Sequence, residues 1–162
     1  MDEEPNKGIP DKKDTALKLW VVLTRATQSV RKRIEEDIKR HGLNLTEFSV
    51  LELLFHKGDQ PIQKIGGKIL IASSSTTYVI DQLEKKKLLK RVPCPQDRRI
   101  TYAALTGKGR KLMEQIFPEH EQAVVQITGG LNDEEKVAMI GQLKKLGLSA
   151  ASPSGRDEAL FK

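Results

Sequence analysis

Between residues 17 and 38 apolar side chains recur every three or four positions, at Leu17, Trp20, Val21, Ile34 and Ile38, the period of one face of an α-helix. His41-Gly42 closes that run, since glycine accepts the left-handed conformation in which helices end. A second stripe, Phe48, Leu51, Leu54 and Phe55, follows in LNLTEFSVLELLFHKG, with Asn44 or Thr46 able to cap its start and Gly58 to stop it. After the breaker DQP, QKIGGKILI predicts a third helix with Ile65, Ile69 and Leu70 inward, although Gly66-Gly67 costs about 1–2 kcal/mol relative to alanines. ASSSTTYVIDQLEKKKLL predicts a fourth, which opens on hydroxyls and turns Val79, Ile80 and Leu83 to the core.

The period then changes. Leu88 to Pro93 and Ile100 to Leu105 are the only two stretches that read as strands, and PCPQDRR between them has turn chemistry, so they pair as a hairpin with a protruding tip. Thr106, followed by Gly107-Lys108-Gly109, caps a fifth helix through Leu112, Ile116, Val124, Val125 and Ile127, with Pro118 expected to bend it. Asn132 caps a sixth, LNDEEKVAMIGQLKKLGL, whose acidic first turn suits the helix dipole. Pro, Gly and charge at residues 1–12, and a similar composition at 149–162, predict disordered tails.

Two short helices joined by a tight turn and followed by a hairpin make a winged helix-turn-helix. The predicted fold is mainly α (α+β), with a DNA-binding lobe at 43–106 between a first helix at 13–42 and two last helices at 107–148. Leu17, Trp20, Val124, Val125, Ile140 and Leu143 exceed what that central lobe can cover. The outer helices are therefore expected to form a dimerisation lobe.

Charge agrees with a polyanionic partner: 28 Lys+Arg face 22 Asp+Glu, a formal net charge of +6. Aromatic residues are only 4% of the chain, too few for a groove that stacks unpaired bases, which favours a helix read into duplex DNA. One cysteine excludes an internal disulfide and a multi-cysteine zinc site. No apolar run reaches the roughly 20 residues a membrane helix needs, and the expected location is the cytoplasm. The three histidines lack metal-binding spacing, and there is no G-x-S-x-G or phosphate loop, so neither an enzyme nor a bound cofactor is expected.

On this frame the DNA contacts fall on Ser73, Ser74, Ser75, Thr76 and Thr77 at the front of the fourth helix, and on Lys64, Lys68 and Arg91 as phosphate ligands. Arg98 and Arg99 at the hairpin tip can enter a narrow minor groove. Asp97, two residues before Arg99, is expected to hold that side chain through guanidinium hydrogen bonds.

The run STTYVIDQLEKKKLLKRVPCPQDRRITYAALTGKG resembles the multiple antibiotic resistance regulator (MarR) family of bacterial winged-helix repressors, and the similarity spans about residues 14 to 148. Its marks are the reading helix, the Asp97-x-Arg99 wing and the Leu105-Thr106-x-x-Gly109 turn, with wing flanks most similar to the branch that answers hydroquinones and catechols. The resemblance implies a homodimer on a pseudo-palindromic site, released by a small phenolic, an oxidant or another ligand. It places a ligand pocket between the dimerisation helices and the reading lobe, where Trp20, Arg25, His41, Phe48, Phe55, His56, Phe117 and His120 supply rings and polar groups. Lys87 stands where the family has glycine, so it either takes up a left-handed turn at about 1 kcal/mol or ends the helix differently. Two rival readings remain at this point: a redox-sensing repressor using Cys94, and a winged-helix scaffold that meets proteins and does not read DNA.

Overall fold

The computed structural model describes residues 11–69 and 73–151, and of residues 73 and 74 the backbone alone. Helix α1 (Lys12–Lys39) starts earlier than its apolar pattern, because the Asp11 carboxylate accepts the Lys13 amide at 3.2 Å and caps it. Residues 11 and 12 thus belong to the helix start and not to a tail. After Gly42, at φ 75°, α2 (Leu45–Lys57) is closed at its front by a reciprocal capping box. Asn44 accepts the Glu47 amide at 2.9 Å while Glu47 accepts the Asn44 amide at 3.1 Å, so Asn44, not Thr46, is the cap.

Helix α3 (Ile62–Lys68) is shorter than its apolar pattern, which extended through residues now outside the described set. Helix α4 (Ser73–Lys85) follows, then the hairpin of β2 (Leu89–Pro93) and β3 (Thr101–Leu105), paired Leu89 to Leu105 and Pro93 to Thr101. A third strand, β1 (Gln60–Pro61), pairs antiparallel with the outer edge of β3 at Ala103 and Tyr102. The breaker DQP is therefore also a strand. Two residues carry no periodicity, and Pro61 is tolerated because it lies on an edge strand. Helix α5 (Gly107–Ile127) continues through Pro118, and α6 (Asp133–Ala150) takes in Ser149 and Ala150, which the sequence assigned to the tail.

One core joins Ile38 of α1, Phe48, Val50, Leu51 and Leu54 of α2, Ile65 of α3, Val79, Ile80 and Leu83 of α4, and Met113 and Ile116 of α5, with Leu89 and Ala103 from the sheet. It lies under the reading lobe. The outer helices behave otherwise: α1 buries only Asp37 and Ile38, and α6 buries nothing.

Candidate nucleic-acid interface

The phase of α4 is set by what it buries. Thr76, Val79, Ile80 and Leu83 point into the core, and at about 100° per residue the opposite face carries positions 74, 78 and 85, flanked by 81 and 82. Ser75 and Thr77 are exposed on the two shoulders. Thr76 is 4% exposed and faces inward, which removes it from the reading face; the side chains of Ser73 and Ser74 lie outside the described residues. The residue at the centre of the face is Tyr78, 66% exposed, which the hydroxyl pattern passed over.

Arg91 of β2 does not reach outward to phosphate as expected. Its guanidinium hydrogen-bonds Asp81 at 2.6 Å and also bonds Glu84, both carboxylates of α4. The hydrogen bond it donates to Asp81, helped by the charge of Glu84, pushes the Arg91 pKa further up against the effect of its partial burial. Two acids of α4 thus share one guanidinium, which offsets half of their charge, and the hairpin is fastened to the helix.

The C-terminus of α4 is clasped by α5. Lys87 takes the left-handed conformation at φ 61°, and the Leu88 amide donates to the Leu83 carbonyl at 3.0 Å, closing the helix as a glycine would. The Lys86, Lys87 and Leu88 carbonyls accept in turn from Lys108 Nζ at 3.0 Å, Thr106 Oγ1 at 2.7 Å and the Thr106 amide at 3.1 Å. Thr106 Oγ1 also accepts the Gly109 amide at 3.0 Å. A Cβ on Gly109 would stand 1.9 Å from the Leu88 carbonyl oxygen, so the Thr-x-x-Gly spacing reflects how closely α5 meets the turn between α4 and β2.

At the wing tip the Ile100 amide donates to the Asp97 carbonyl at 3.0 Å, which makes Asp97 to Ile100 a β-turn with Arg98 and Arg99 as its central pair. Asp97 Oδ1 accepts the Arg99 backbone amide at 2.9 Å and lies 3.4 Å from Arg99 Nε. The orienting role expected for Asp97 thus works first on the backbone. Arg99 is 93% exposed, and Arg98 is exposed beside it.

Of the lysines, Lys64 is exposed on α3, while Lys68 donates to the Gln60 side chain. Lys86 serves inside the lobe, its Nζ 2.8 Å from the Glu47 carboxylate. Cys94 is 9% exposed, its amide donating to the Ile100 carbonyl at 2.9 Å within the wing. Burial beneath the tip of the hairpin takes away the accessibility a reactive thiol needs, which counts against the sensor reading.

Of the eight candidate pocket residues, Phe48, Phe55, His56, Phe117 and His120 form one run of ring contacts, which Trp20, Arg25 and His41 do not join. Phe48 is a core residue, its ring 4.6 Å from that of His120. Phe117 stacks edgewise on His56 at 4.6 Å, with Phe55 at 6.1 Å. His120 Nδ1 meets Asp37 Oδ2 at 2.9 Å, joining α5 to α1, and Arg40 donates to the same carboxylate. Burial acts to raise the Asp37 pKa, but the hydrogen bonds from His120 and Arg40 outweigh it and hold the carboxyl below its ordinary range. His41 Nε2, 3.8 Å from Glu119, is buried with no hydrogen-bond partner among the described residues. Trp20 and Arg25 are exposed on the outer half of α1, Arg25 about 18 Å along the axis from Asp37.

A winged helix-turn-helix with its hairpin fastened to the reading helix and two arginines at the wing tip defines a duplex-DNA-binding protein. The MarR family model matches residues 43–101. The regulator MhqR of Bacillus subtilis is 50% identical over 85% of this chain and 94% of its own length. Among solved structures, BpsR of Bordetella bronchiseptica, described with the regulation of its DNA binding by 6-hydroxynicotinic acid, is 31% identical at TM-score 0.71 over 80% of this chain and 98% of its own. The MarR-family regulator Sco3205 of Streptomyces coelicolor, solved with DNA, matches the fold at TM-score 0.77 and 21% identity, covering 85% of this chain and 92% of its own. The chain belongs to the MarR family of DNA-binding transcriptional regulators and is not an enzyme. Among the described residues no helix is long and apolar enough to cross a membrane.

Proposed function

We propose that this protein is a homodimeric repressor that grips a pseudo-palindromic operator and releases it when a small phenolic or other hydroxylated aromatic compound binds. The observation that carries the dimer is the apolar surface one chain leaves uncovered: Leu17, Trp20 and Val22 on α1, Val125 on α5, and Val137, Ile140 and Leu143 on α6 are all exposed. A helix that buries nothing against its own chain needs a partner to be stable, and a two-fold pairing of α1, α5 and α6 supplies one. Such a dimer sets two α4 helices in successive major grooves, roughly 34 Å apart, with Arg98, Arg99, Ser75, Thr77 and Lys64 as the DNA contacts.

The release step rests on two supports. BpsR, a relative at 31% identity, has its DNA binding regulated by a hydroxylated aromatic acid. In this chain the rings of Phe48, His120, Phe117, His56 and Phe55 follow one another between α2 and α5, and a pocket beside them would suit a planar phenol. Trp20 and Arg25 belong to this pocket only if the partner's helices bring them to it. The test is release of the operator duplex by a panel of hydroquinones, catechols and hydroxypyridine carboxylates. Dissociation by one class at concentrations that leave the fold intact supports the reading; an operator complex indifferent to all of them, but lost on thiol oxidation, would return the sensing role to Cys94.

A further inference from the structure

Tyr78 is the largest outward side chain at the centre of the α4 face, 66% exposed where core-facing Val79 and Ile80 are buried. The groups around it are otherwise engaged or weakly informative. Asp81 is held by Arg91 at 2.6 Å, and Glu84 is bound by the same guanidinium. Lys86 is committed to Glu47. Lys85 is a flexible point charge, suited to phosphate, and the hydroxyls of Ser75 and Thr77 bond either kind of base edge or a phosphate. Arginine and asparagine are missing from α4, and Gln82, its one amide able to pair with an adenine edge, is half-buried on the flank of the face. The clasp by Thr106 and Lys108, with the Arg91 tie to Asp81, holds the C-terminal half of α4, so the ring stands one turn from a fixed part of the helix.

We infer that Tyr78 is a specificity-determining residue of the reading helix, its ring packing on the C5 methyl of a thymine in each half-site while its hydroxyl bonds a neighbouring base edge or phosphate. This rests on α4 being the helix that enters the major groove. In that groove the thymine methyl is the only apolar group a base pair offers. A phenol matches it: an apolar ring with two rotatable side-chain bonds loses little entropy when docked, and its hydroxyl stays on the wet side.

The test replaces thymine by deoxyuridine, one position at a time, in a duplex selected by the wild-type protein from random sequence. Wild type should lose about fourfold in affinity at one symmetry-related thymine pair, the worth of a buried methyl. Tyr78→Ala should bind more weakly overall and no longer distinguish thymine from deoxyuridine there, whereas Tyr78→Phe should keep the distinction and lose only the hydroxyl contact. Because the side chain is exposed, both variants should unfold at the wild-type midpoint, which separates a lost contact from a lost fold. A Tyr78→Ala protein with the wild-type deoxyuridine profile would overturn the assignment while leaving the operator reading intact. A wild-type protein that enriches no sequence would overturn both.

Discussion

Lys87 places a side chain in the left-handed region, at φ 61°, where a Cβ meets the following carbonyl. Lys87→Gly should relieve this and raise stability by about 1 kcal/mol, read as a higher urea midpoint at constant slope. No gain would mean that the Thr106 and Lys108 hydrogen bonds already fix the turn at no cost. Gly109 is the opposite case: with the Leu88 carbonyl oxygen 1.9 Å from a would-be Cβ, Gly109→Ala must push α5 off the turn that follows α4. It should cost about 2–3 kcal/mol in the same experiment. Both positions were legible in the sequence, one as a departure from the Gly that ends the helix in similar proteins and one as part of a Thr-x-x-Gly turn. The hydroxyl run was less so. Five small polar residues in a row carry no phase, so nothing in SSSTT marks Thr76 as inward, and Tyr78 becomes prominent only once Val79, Ile80 and Leu83 fix the rotation of the helix.

At the scale of elements, two side-chain links tie neighbouring elements together. Arg91 ties β2 to α4 through Asp81 and Glu84. Arg91→Gln should destabilise by about 1 kcal/mol, a modest value because the network is partly exposed. A double-mutant cycle with Asp81→Asn should recover a coupling energy, whereas additive effects would point back to Arg91 as a free phosphate ligand. The second link is Asp37 with His120 and Arg40. Asp37 is more acidic folded than its ordinary 3.8, so its charge supports the fold above that value, and the support is lost as pH falls through the lowered folded pKa. Asp37→Asn should therefore lower the melting temperature near neutrality and flatten its fall below about pH 4. Parallel melting curves for variant and wild type against pH would contradict the link. Helices and hairpin were readable here because period, caps and turn residues agree. β1 was not, because two residues at a proline acquire strand character only from their pairing with Ala103 and Tyr102. Arg91 was misplaced for a related reason: a basic residue near a wing looks outward in sequence, and only the register of β2 brings it to α4.

At the scale of the whole molecule, apolar burial is uneven. A core fills the reading lobe, while α6 buries nothing and the outer part of α1 exposes Leu17, Trp20 and Val22. The apolar pattern of the outer helices foretold this surplus, whereas Trp20 and Arg25 stay exposed outside the ring cluster of Phe48, Phe55, His56, Phe117 and His120, because no periodicity within one helix says which rings of another it meets. At this scale Arg99→Ala should leave the fold untouched, since its side chain is 93% exposed. It should weaken binding to DNA and reduce the salt slope by about one; an unchanged slope would take Arg99 out of the minor groove. The central claim, a two-fold reader of duplex DNA, is tested most directly by selecting sites from random duplexes at near-physiological salt. The account predicts an enriched inverted repeat with half-sites about one turn apart. Recovery of unselected sequences, with binding that vanishes as salt rises, would contradict it.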